Sequence, residues 1–185
     1  NSNQNQQDNM ITISYHFSSP SLTTTSINDE TYTRVSIDSL STMGNPGNPQ
    51  LPIKGAYILL PPKTAVKNIQ IQPVNKKTYQ ISHPIIPSST PIPNNNTDLL
   101  DSSVIKKNSQ VYTSDIYPED MFSTIGTYIQ RGYTILILQL YPIQYHPTQN
   151  TFDYYHTLTL KVTIEPDIND QTIRPLPEDK ILISN

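Results

Sequence analysis

Residues 131–147 constrain this chain more than any other stretch. They open with Arg131-Gly132-Tyr133, continue through the largely apolar residues 134–140, and end in Tyr141-Pro142-Ile143-Gln144-Tyr145-His146-Pro147. An apolar run of that length is strand-sized and reads as a buried strand. The two prolines close it, because proline donates no backbone N–H and holds its predecessor in extended geometry. A second strand is expected from Phe152 to Ile164, with Leu158, Leu160, Val162 and Ile164 alternating. Residues 146–151 form the turn between them. Two consecutive strands with so short a link are expected to pair as an antiparallel hairpin.

The rest of the chain agrees with an all-β reading. Twelve tyrosines and 17 prolines stand against only five glycines, and alanine occurs only at Ala56 and Ala65. This composition suits short strands joined by proline-bearing turns. No segment combines a 3.6-residue apolar period with a helix cap. The expected fold class is therefore a single antiparallel β-sandwich-like domain with long proline-rich loops and little helix. At 185 residues the chain is long enough to bury a real core.

Along the chain, residues 1–9 form a polar, low-complexity segment expected to be a flexible tail. Residues 10–166 form the β domain, and residues 167–185 a surface tail. Residues 11–17 and 32–37 alternate as half-buried strands, and residues 22–26 could form a weaker one before the second. Residues 44–52, rich in Gly, Asn and Pro, read as a loop. Residues 56–60 then enter as a buried strand. In residues 66–72 the inward set is Val66, Ile69 and Ile71, with an irregularity after Val66 that suggests a bulge. Residues 78–81 pair nearby. Residues 83–110 carry four prolines before position 98 and no period, so an extended, exposed loop is expected, either functional or disordered. Asn95-Asn96-Thr97 within it is a formal glycosylation triplet. Residues 111–113 read as a short strand, and Tyr117-Pro118-Glu119-Asp120 as a turn or a single helical turn.

Charge excludes one class of partner. Charged residues make up 15% of the chain and the net charge is −3, with only Lys76-Lys77 and Lys106-Lys107 as basic pairs. Nucleic-acid binding needs clustered cations to displace counterions, so it is not expected. No apolar run approaches the roughly 20 residues of a membrane span. The absence of cysteine removes disulfides, thiolate metal sites and a cysteine nucleophile. It suits a secreted prokaryotic protein without fixing the compartment. The chain begins at Asn1, which suggests that a leader or other upstream residues have been removed.

Nothing in the sequence assembles a catalytic set. His16, His83, His146 and His156 lack metal-ligand spacing and are expected to pack at the surface or across strands. No Gly-x-Ser-x-Gly elbow is present. Asp29-Glu30, Glu119-Asp120 and Glu178-Asp179 are sequence neighbours, which gives no fixed carboxylate separation. No metal, cofactor or reaction is expected.

A resemblance supplies the function. Gly47-Asn48-Pro49-Gln50-Leu51-Pro52, then Ala56-Tyr57-Ile58-Leu59-Leu60-Pro61-Pro62, resembles the opening of the N-terminal propeptide of gingipain-type (family C25) cysteine peptidases. Tyr117-Pro118, Arg131-Gly132-Tyr133 and the 141–147 corner resemble its second signature block, with His146 where Asn is usual. The resemblance covers about residues 11–165. It implies a prodomain of a secreted cysteine peptidase, made ahead of a caspase-like catalytic domain. Such a domain assists folding, covers the active-site cleft and is removed by proteolysis.

The resemblance also implies where the cleft is met. Residues 127–131 become the contact segment, with Tyr128, Ile129, Gln130 and Arg131 as its named members. If the peptidase prefers basic residues, Arg131 is the natural plug; otherwise it merely starts the strand. Lys106 and Lys107 are second choices, and Asn94, Asn95 and Asn96 enter if the peptidase prefers Asn. Asn185 would then be a processing end. The alternative class is an adhesive or carbohydrate-binding β-sandwich on a cell surface. Tyrosine richness favours it and the lack of Trp weakens it.

Overall fold

The computed structural model describes residues 4–7, 9–27, 29–89 and 106–167. Eleven strands are present among them: β1 (Gln4–Gln7), β2 (Met10–His16), β3 (Ser21–Ile27), β4 (Glu30–Ser36), β5 (Ser41–Met43), β6 (Leu51–Leu59), β7 (Thr64–Gln80), β8 (Phe122–Gln130), β9 (Tyr133–Leu140), β10 (Ile143–His146) and β11 (Thr151–Pro166). One short helix, α1, covers Ser109–Tyr112. The all-β expectation holds, and every strand pairing is antiparallel.

Two sheets carry the body. The first is built on β11, which pairs β10 and β2 in succession along one edge and β7 along the other, with β1 beyond β2. The second runs β5-β6-β9-β8, and β3 and β4 form a separate ribbon. One continuous cluster joins the sheets: Ile11, Ile13, Leu158, Leu160 and Val162 from the first, and Ala56, Ile58, Leu136, Leu138 and Leu140 from the second. At roughly 2 kcal/mol per fully buried large aliphatic side chain, this cluster dominates the favourable side of folding.

The expected hairpin between residues 134–140 and 158–164 does not form. β9 pairs β6 and β8, whereas β11 pairs β10, β2 and β7. The reason is the Tyr141-Pro142 corner, which carries the chain out of one sheet and into the other. The Tyr155 N–H donates to the Pro142 carbonyl at 2.9 Å and the Tyr141 N–H to the Met121 carbonyl at 2.8 Å, so the corner is tied to both sides. The turn after β10 is a 3-10 turn over Pro147–Gln149, closed by Asn150 in the left-handed region.

Other differences share a cause, which is pairing outweighing local sequence. Residues 4–7, expected in a flexible tail, pair with β2 as β1. Residues 66–72 and 78–81 are parts of one 17-residue strand, β7. The anticipated irregularity is there: Thr163 faces Asn68 and Ile164 faces Val66, leaving Lys67 as the extra residue. Residues 83–89 are not an exposed loop. Ile85 and Ile86 are buried, and the Ile86 N–H donates to the Thr33 carbonyl at 2.9 Å. Residues 111–113 are not a strand; Val111 and Tyr112 lie in α1 and Thr113 is its C-cap. Tyr117 and Pro118 are joined by a cis peptide rather than lying in a helical turn. Tyr117 pairs with Tyr145 through two backbone hydrogen bonds of 2.7 Å.

Candidate functional site

The segment expected to meet the cleft lies in a hairpin. β8 and β9 are joined by Arg131 and Gly132 alone, with Gln130 facing Tyr133 as the closing pair. Both turn residues have positive φ, 49° at Arg131 and 78° at Gly132. That is the pattern of a two-residue type I′ turn, whose twist matches the flanking strands. Glycine suits the second position because it has no Cβ to clash there. Arg131 is therefore at the hairpin tip and exposed, rather than at the start of a strand emerging from a loop.

Around that tip the surface is apolar. Ile129 is 63% exposed and Tyr128 52%, and Tyr133 is exposed as well. Among the described residues β8 pairs only with β9, so its outer edge keeps unpaired backbone groups. The strand also contains a bulge. Thr124 faces Leu138 and Gly126 faces Ile137, which leaves Ile125 as the extra residue.

The other expected contact residues are not at this tip. The Lys107 Nζ lies 2.8 Å from the Glu30 Oε2 and 5.2 Å from the centroid of the Tyr32 ring. The Tyr32 hydroxyl also donates to Glu30. The Lys107 hydrogen bond, with that of Tyr32, holds the Glu30 carboxyl below its ordinary value. Burial and the Glu30 hydrogen bond push the Tyr32 hydroxyl up to about 12. Lys107 is thus engaged as a clip between the 106–108 segment and the β3–β4 ribbon. Lys106 is exposed beside it. Asn94, Asn95, Asn96 and Asn185 lie outside the described residues.

The family model Propeptide_C25 matches residues 1–176. This chain belongs to the C25 propeptide family. The complex of the Porphyromonas gingivalis RgpB pro- and mature domains contains a chain with the same fold, at a TM-score of 0.74 and 17% identity, covering 99% of this chain and 95% of that one. A structure on the zymogenic latency of gingipain K from the same organism follows at 0.69 and 18%, covering 89% and 92%. No curated protein sequence matches the chain. The chain is a non-catalytic prodomain of a C25 cysteine peptidase.

The 141–147 corner of this C25 propeptide proves to be architectural. The Gln144 side chain is buried; its Nε2 donates to the Pro118 and Glu119 carbonyls at 3.1 and 3.0 Å, and its Oε1 accepts from the Tyr155 hydroxyl at 3.1 Å. Tyr145 is wholly buried. His146 bridges the Asp115 carbonyl, 2.9 Å from Nδ1, and the Asp153 Oδ2, 3.0 Å from Nε2. Asp153 also meets the Lys76 Nζ at 2.7 Å and accepts from the Thr78 hydroxyl at 2.6 Å. Burial pushes the Asp153 carboxyl up, but the bonds from Lys76, Thr78 and His146, with the Lys76 charge, outweigh it and leave the group below its ordinary value. Asp153 thus gathers Lys76, Thr78 and His146 into one network that ties β7, β10 and β11 together.

Sequence reasoning missed the exposed apolar residues Tyr57 and Leu59 of β6, neighbours of β9 in the second sheet. The signal was available. Residues 56–60 are apolar at every position, which leaves one side chain in two facing away from a single core.

Proposed function

We propose that this propeptide keeps its peptidase latent by laying the β8–β9 hairpin into the active-site cleft, with the Arg131 side chain entering the pocket for the scissile residue. One observation carries the reading: Arg131 stands at the tip of an exposed two-residue turn, at the end of a strand whose outer edge is unpaired among the described residues. An extended peptide pairs with a free strand edge through its main chain and is selected through alternate side chains. Tyr128, Ile129 and Gln130 offer that extended segment. At Arg131 the backbone leaves the extended path for the left-handed region, so the following bond departs from the geometry of a substrate. This favours occupancy over cleavage. The same reading makes the chain part of the precursor of a secreted or cell-surface peptidase; no helix among the described residues is long and apolar enough to cross a membrane.

The test is inhibition of the mature peptidase by the separate propeptide. Arg131→Ala is expected to raise the inhibition constant by at least about tenfold, the scale of a buried arginine anchor, with partial recovery in Arg131→Lys. An inhibition constant unmoved by Arg131→Ala would remove Arg131 from the cleft.

A further inference from the structure

The β3–β4 ribbon stands apart from both large sheets, and its two strands are placed differently. β4 is packed: Tyr32, Thr33 and Val35 are buried, and Thr33 exchanges backbone hydrogen bonds with Pro84 and Ile86 at 2.8 and 2.9 Å. β3 has only β4 as a strand partner among the described residues, in an unbroken register from Ser21–Ser36 to Ile27–Glu30. Five of its seven residues are exposed and the other two half-buried, with Leu22 41% exposed. Its outer edge therefore presents unpaired backbone N–H and C=O groups to solvent along the whole strand.

Folded chains blunt such an edge with charge, proline, a bulge or extreme shortness. Ser21-Leu22-Thr23-Thr24-Thr25-Ser26-Ile27 has no charged residue, no proline and no glycine, and its register shows no bulge. Three threonines and an isoleucine give it strong strand preference. A two-stranded ribbon is also marginal by itself, and a third strand completes it. The sequence says which strand fits. A twofold axis through Thr24 sets Thr23 against Thr25 of a second copy, Leu22 against Ser26 and Ser21 against Ile27. Hydroxyl meets hydroxyl at the centre, a favourable cross-strand pairing. Beyond the strand, the same axis sets Asp29 against Ser19 and Glu30 against Ser18, so no acid meets an acid.

We infer that β3 is a self-association edge: two copies of this chain join β3 to β3, antiparallel about a twofold axis at Thr24, into one four-stranded sheet β4-β3-β3-β4. The inference is independent of the hairpin reading given above. An isologous contact of this kind closes on itself, because each copy covers the other's edge and leaves none to extend. Seven residues a side is well short of the roughly 20–30 a side of a stable interface, so the dimer is weak and depends on concentration.

The test is sedimentation of the full chain over a range of concentrations, with three variants. The wild-type mass is expected to rise towards twice that of one chain. Thr24→Lys sets like charges against each other on the axis and is expected to stay monomeric over the same range, with its unfolding midpoint unchanged because Thr24 is exposed. The chain has no cysteine, so disulfides can report the register without background. Thr24→Cys brings two Cα atoms to about 4.5–5.5 Å across the axis, within reach of a disulfide. Leu22→Cys leaves them about 13 Å apart, four strand residues out of line. Mild oxidation is expected to link the first variant and not the second. These two variants decide the matter even where Thr24→Lys lowers the midpoint. A wild-type chain that stays monomeric throughout overturns the inference, as does a dimer that Thr24→Lys leaves intact, or Leu22→Cys linking as readily as Thr24→Cys. A monomeric wild type whose inhibition of the mature peptidase is weakened by Thr24→Lys would assign the edge to the peptidase, and overturns it too.

Discussion

Two of the antiparallel hairpins, β8–β9 and β10–β11, are used differently. β8–β9 closes through Arg131 and Gly132, and β10–β11 through residues 147–150, with left-handed residues in both turns. In β10–β11 the side chains go inward. Tyr145, Phe152 and Ile143 are fully buried, and Asp153 is locked to three partners. In β8–β9 the tip projects and keeps Tyr128, Ile129 and Tyr133 in solvent. A closed turn therefore says nothing about role. Whether the flanking side chains have found partners separates the hairpin that holds the fold from the one left available to another protein.

The comparison can be broken most severely at Phe152. It is fully buried and stacks on Tyr79 with ring centroids 5.0 Å apart. Phe152→Ala is expected to cost about 3–5 kcal/mol in urea-induced unfolding, because a cavity opens where the two sheets meet. A loss below about 1 kcal/mol would mean that this hairpin is no more structural than the other.

Asp153→Asn is a smaller break in the same hairpin. Exchanging a buried carboxylate that serves three donors for a neutral amide should cost about 1–3 kcal/mol near neutral pH. Its acid dependence follows from the lowered carboxyl. The stabilisation is complete above the ordinary aspartate value of about 3.9 and is lost as pH falls through the lower value held in the fold. Unfolding measured across pH should show the wild-type advantage flat from pH 7 to about 5 and shrinking below about 4. An advantage that grew on acidification would reverse the sign and reject the network as described.

The smallest effect belongs to the exposed hairpin. Ile129→Thr should leave stability within about 0.5 kcal/mol of wild type, since it removes no buried contact. A larger loss would erase the distinction between the hairpins.

Much of this architecture could be read from residue patterns. β2, β4, β6 and β11 alternate or run apolar, and their inward residues are the core. The hidden parts have identifiable causes. β8 escaped because the bulge at Ile125 and the glycine after it interrupt the alternation that marks a strand. β7 looked like two pieces because Pro73 and the extra Lys67 break its period. Residues 85–88 are buried although they stand among prolines, since their partners on β4 and in the 44–50 segment are remote in sequence. The site was half legible. Arg-Gly marked the segment proposed for the cleft, but only the pairing of Gln130 with Tyr133 makes it a turn. Lys107 looked like Lys106 until Glu30 arrived from another element.

β7 borders the first sheet for 17 residues, and among the described residues it pairs only with β11. A bare strand of that length invites other strands to join it. This one carries its own deterrents. Pro73 offers no N–H at mid-strand, Lys67 sits at a bulge that bends the line, and the exposed Lys77 puts a cation beyond it. For a domain shed from its precursor, the result is colloidal. An edge broken by a proline and a bulge is a poor template for a second copy to extend into a fibre.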